Sequence, residues 1–97
     1  MAKIRSLKKD IDYLVSLVIV DCLQYNNHFE NADKEAAYKI VKNIIGSRND
    51  FRKRINHPDG KDNSALIKKY FNKISEDLLV ACDQAYESLG KLIDKTN

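Results

Sequence analysis

An all-α fold, an antiparallel up-down-up three-helix bundle that self-associates, is what the sequence predicts. Apolar residues recur at spacings of three and four along three long stretches. The single proline, Pro58, and the polar run from Asn26 to Asn31 separate those stretches from one another. Strand-length alternation of β-branched residues is absent, so no sheet is expected.

The composition agrees. Ninety-seven residues are the size of one domain, residues 1–97, which buries only somewhat over ~60% of its unfolded surface, so a partner covering a second face would add stability. A charged fraction of 32% with one Pro and three Gly describes long solvated helices rather than a loop-rich fold.

The first helix is expected at about 6–27. Ile4, Leu7, Ile11, Leu14, Val18, Cys22, Tyr25 and Phe29 form its core stripe. Within it, Leu14 to Val20 is apolar on nearly every side and needs cover all round. Seven residues cannot span a bilayer, which takes about 20, and Asp10, Asp12 and Asp21 close the run, so the expected cover is protein, with no membrane contact. Lys3, Arg5, Lys8 and Lys9 ahead of Ile19-Val20-Asp21-Cys22 loosely mimic a lipoprotein signal. Asp21 before the cysteine spoils it, and the helical pattern continues to Phe29, so the segment reads as mature protein.

The second helix is expected at 32–56, with Asn31 as N-cap and Asp33 and Glu35 in the dipole-favoured first turn. Ala37, Ile40, Val41, Ile44, Phe51 and Ile55 line its core face, and Gly46-Ser47 invites a kink or a close helix approach. Proline bars its predecessor from helical geometry, so the helix ends before Pro58 and His57-Pro58-Asp59-Gly60 reads as a turn. Asp62, Asn63 and Ser64 are candidate caps for a third helix over 64–94, whose stripe is Ile67, Phe71, Ile74, Leu78, Ala81, Ala85, Leu89 and Leu92. Short connections make consecutive helices antiparallel.

Side chains for chemistry are sparse. A di-metal carboxylate centre needs Glu-x-x-His pairs on facing helices, and none occurs; His28 and His57 sit in turns at opposite ends of the expected bundle. The three glycines are isolated, with no strand feeding them as a phosphate loop requires. Cys22 and Cys82 fall on apolar positions at similar heights, as small hydrophobes of a cytoplasmic protein, without a Cys-x-x-Cys or a nearby histidine to activate a thiol. The expectation is a non-enzyme without cofactor or metal.

Two surfaces remain. Tyr13, Leu17, Val20 and Leu23 form a second apolar stripe on the first helix, and Leu79, Tyr86 and Ile93 do so on the third at comparable heights. A monomeric bundle has no use for either, so these seven residues are the expected interface of a homodimer or of a partner helix. Charge also segregates. Residues 1–10 and 48–73 carry twelve basic against four acidic side chains, +8, and the remainder five against ten, −5. The basic end, with Lys8, Lys9, Arg52, Lys53, Lys68 and Lys69 as candidate contacts, suits nucleic acid or another polyanion, or an acidic protein. Arg48 falls inside the apolar face of the second helix and needs an acid there, because a buried guanidinium left unpaired is costly. Asp10 or Asp12 on the first helix is the expected partner, with Glu76 or Asp77 on the third the alternative.

The runs Asp10-Ile11-Asp12-Tyr13-Leu14-Val15-Ser16 with Asp21-Cys22, Arg48-Asn49-Asp50 and Asp77-Leu78-Leu79 resemble those of small uncharacterised all-helical bacterial proteins. The resemblance implies a helical bundle of the bacterial cytoplasm and transfers no active site.

Overall fold

A computed structural model describes residues 2–57 and 63–96, with side chains from residue 5 onward. It contains three helices: α1 (Ala2–His28), α2 (Lys34–Asn56) and α3 (Ser64–Thr96). All three pack on one another as an up-down-up bundle, and no strand occurs among the described residues. The product is a rod of 54 × 17 × 16 Å with a radius of gyration of 15.8 Å, against about 13 Å for a compact chain of this size. A rod this thin has one layer of core and leaves the outer half of every helix to water or to a partner.

That core is continuous. Leu7, Ile11, Val15, Val18, Cys22 and Tyr25 of α1 meet Ala37, Ile40, Ile44, Phe51 and Ile55 of α2 and Phe71, Ile74, Leu78, Cys82, Ala85 and Leu89 of α3. Phe29, just past the end of α1, is only half-covered, and within the helix the seam differs from the expected one in that Val15 is buried while Leu14 lies half-covered at the edge. The two neighbours are about 100° apart on the helix, and the placement of α2 and α3 decides between them. Ile4 lies outside the residues whose side chains are described.

The helix ends hold corrections to the sequence reading. The N-cap of α2 is Asp33, not Asn31: its carboxylate accepts from the Ala36 N–H at 3.0 Å. Its own N–H donates to the Tyr25 hydroxyl at 2.9 Å. Asn31 instead donates to the Thr96 carbonyl at 3.5 Å. Thr96 Oγ1 donates to the Leu92 carbonyl at 2.7 Å and lies 2.8 Å from the Tyr25 hydroxyl. Thr96 having one proton to give, the Tyr25 hydroxyl donates to it. A chain of bonds thus ties the end of α1, the start of α2 and the last turn of α3 through one nearly buried tyrosine.

At the start of α3 the cap is Asn63, whose side chain accepts from the N–H groups of Ala65 and Leu66. The expected turn at Pro58 to Gly60 and the candidate cap Asp62 lie outside the described residues. Helix α2 runs unbroken through Gly46, where nothing lies within 4 Å of the place a side chain would start. The expected close approach at Gly46-Ser47 therefore does not occur. No described helix is long and apolar enough to cross a membrane.

Candidate functional site

Of the seven interface candidates, six are open to solvent in the protomer. They run from 38% exposed at Leu17 and Tyr86, through Val20, Leu23 and Leu79, to 63% at Tyr13. The expectation that Leu14 to Val20 is covered on all sides is thus met only on its inner half. Val15 and Val18 enter the core, while Leu17 and Val20 face outward. Helical phase explains the division, because Tyr13, Leu17 and Val20 lie between 120° and 180° from the direction of Ile11 at about 100° per residue. Leu23 sits on the far shoulder of the same face, toward α2.

Ile93 departs from its group, being half-covered and packed on the core. It lines, with Tyr86, Leu89 and Gly90, one wall of a groove of about 640 Å³ whose other wall is Asp21, Gln24, Tyr25, Asn27, His28 and Phe29. This groove marks the seam between α1 and α3. Partial burial and the neighbouring Asp21 carboxylate push the Tyr86 hydroxyl up to about 12, so it stays protonated and able to donate across the groove. Sequence reasoning missed the groove: Gln24 and Asp21 are polar, and only the outer phase that Gln24 shares with Tyr13 could have signalled its place. A smaller hollow of about 200 Å³ lies between α2 and α3, floored by Ile40, Ile44, Ala81 and Ala85.

The charged end is organised by two carboxylates. Asp12 receives Arg48 Nε at 3.1 Å on one oxygen and Arg52 Nη2 at 2.9 Å on the other, joining α1 to α2. Asp77 receives Arg54 Nη1 at 3.0 Å and Lys73 Nζ at 3.3 Å, joining α3 to α2. The Arg54 hydrogen bond, outweighing the opposing effect of desolvation, holds Asp77 below the usual carboxylate range. The contribution of that tie is complete above the ordinary carboxylate pKa and is lost as pH falls through the depressed one.

Arg48 is therefore paired, with Asp12, but it is not buried: the two side chains are 35% and 44% exposed, and no charged residue with described burial is buried. Its position at the edge of the α2 core face lets a long side chain carry its head outward. Asp10 is exposed and is not the partner. A half-exposed pair contributes little, so Arg48→Ala is expected to cost no more than about 1 kcal/mol in chemical denaturation; a loss near 3 kcal/mol would mean the pair is sealed from water.

Among the polyanion candidates, Arg52 is occupied by Asp12. Lys9, Lys53, Lys68 and Lys69 are exposed, Lys8 is half-exposed, and none of the five makes an ion pair among the described residues. Helical phase turns Lys9, Lys53 and Lys69 outward on three different helices, which makes a collar around the rod's end rather than a single stripe.

The two thiols are buried and free. Burial first, and then the adjacent Asp21 or Asp83, raises each above its ordinary value, which keeps them as thiols rather than nucleophilic thiolates. The described residues contain no group of three or more His, Cys, Asp or Glu placed to hold a metal ion. No family model, curated protein or solved structure matches the chain.

Proposed function

We propose that this protein is a non-enzymatic helical-bundle interaction or adaptor module of the bacterial cytoplasm, homo-oligomeric through the outer flank of α1 and α3. One observation carries the reading: Tyr13, Leu17, Val20, Leu79 and Tyr86 are apolar and open on adjoining helices of a rod whose core is already complete without them. Monomers rarely expose a contiguous patch of that kind, whereas isolated exposed residues such as Leu66 and Tyr38 need no partner. The rival occupant is a helix of a different protein.

Association of the folded state alone makes stability depend on concentration. The thermal midpoint is expected to rise between about 1 and 100 µM protein, and a midpoint constant over that range would contradict self-association.

A second reading, polyanion binding at the basic end, is favoured by the lysine collar. Reversing Arg52, Lys53, Lys68 and Lys69 to Glu is then expected to abolish retention on heparin with helicity intact, and binding should weaken steeply with salt. Unchanged retention would remove that surface from consideration.

A further inference from the structure

We infer that the occupant of the α1–α3 flank is a second copy of this chain running antiparallel to the first, related by a two-fold axis perpendicular to the rods. This rests on the self-association proposed above and adds its geometry.

Three observations support it. With Leu23 set aside toward α2, the outer line of α1 has a centre of symmetry: Tyr13, Leu17, Val20 and the polar Gln24 succeed one another at spacings of four, three and four, all at least a third exposed. The midpoint of that stripe lies between Leu17 and Val20, and that of the α3 stripe between Leu79 and Tyr86. Because Asp21 and Tyr86 line one groove, these two midpoints stand at the same height on the rod. One perpendicular axis can pass through both, laying α1 against α1 and α3 against α3, as an isologous interface demands.

Charge selects this orientation over the parallel one. Below the axis the flank carries Lys9 and Lys68; above it lie Glu30 and Asp94, all exposed, while Asp83 stands at the height of the axis itself. Asp10 and Glu76 are exposed acids on the lysine side, Glu76 at the same helical phase as Asp94. Antiparallel pairing sets Lys9 near the turn holding Glu30 of the second copy, and Lys68 near the last turn of its α3, where Asp94 lies. Parallel pairing would set the +8 ends side by side and the −5 parts likewise, and like charges juxtaposed across an interface repel. The whole side of the rod, 54 Å by 17 Å, is on the order of 900 Å², so pairing along the full length of the rods reaches about 800 Å² per partner, that of an ordinary stable interface.

Oxidative cross-linking of introduced cysteines tests the orientation in the whole chain, because a disulfide needs Cα atoms within about 7 Å. Tyr13→Cys and Gln24→Cys variants, distinguished by a mass tag and mixed, are expected to give the mixed disulfide. In a parallel dimer these positions stand eleven residues apart in height, about 16 Å at 1.5 Å per residue. Both positions are exposed, so circular dichroism should show unaltered helicity, and buried Cys22 and Cys82 should not compete. A Tyr13→Cys disulfide with itself, or with Leu79→Cys of the second copy, would establish parallel pairing and overturn the inference while self-association stands. A dimer giving no mixed disulfide would overturn it too. A clean monomer by sedimentation would remove both the orientation and the self-association on which it rests.

Discussion

Ile74→Ala is expected to destabilise the protein by about 2–5 kcal/mol, the range for truncating a fully enclosed isoleucine. Ile74 is 0% exposed, at the centre of α3 where all three helices converge on one cluster. The substitution removes three carbons from a position that the neighbouring backbones cannot close over, so the lost transfer energy and the cavity add. A chain of this length has a total stability of roughly 5–15 kcal/mol, making the loss a large fraction of the whole. The melting temperature should fall on the order of 15 °C, given a shift of about 4–8 °C per kcal/mol for domains of this size. Leu66→Ala supplies the contrast. Leu66 is half-exposed and off the proposed flank, so its truncation should stay within about 0.5 kcal/mol. Equal effects from the two would mean that α3 is rotated about its axis from the phase described here.

Leu17→Glu combined with Val20→Glu is expected to do the opposite: leave the single chain folded and dissociate the proposed dimer. Both side chains already meet water within one copy, so a carboxylate at either site is not buried when the chain folds alone. In the proposed assembly the two positions straddle the two-fold axis, and each new carboxylate would face those of the second copy. Like charges brought together across an interface cost several kcal/mol. At 1.4 kcal/mol per tenfold, the dimer should weaken by about 100-fold or more. Circular dichroism with sedimentation separates the outcomes, because a variant that unfolds outright would show Leu17 and Val20 to be core residues. Retained dimerisation would place the interface elsewhere.

Much of this architecture was legible in the sequence because helical phase is a local property. The α3 stripe from Ile67 to Leu92 keeps its spacing without a slip, and the structure buries its centre at Phe71, Ile74, Leu78, Ala85 and Leu89. The same arithmetic turns Leu17, Val20 and Leu79 outward, and all three are exposed. Features depending on distant parts of the chain were not legible. Asn31 and Asp33 are equally good caps by residue type. Asp33 is the cap in the structure, and its own N–H reaches the hydroxyl of Tyr25, which in turn meets Thr96, 71 positions further on. Arg48 shows a different limit, since phase places a Cα and not the end of a long side chain. Ile93 shares a flank with Tyr86, but it forms part of the groove wall and packs on the core there.

The central claim is that the open flank of α1 and α3 joins copies of this chain, and sedimentation of the purified protein tests it most directly. The 11.2 kDa chain is expected to sediment at twice its mass at concentrations of tens of micromolar, and to return to the mass of one chain when Leu17 and Val20 are replaced by Glu. A single species of 11.2 kDa at those concentrations, folded and soluble without the substitutions, would contradict it.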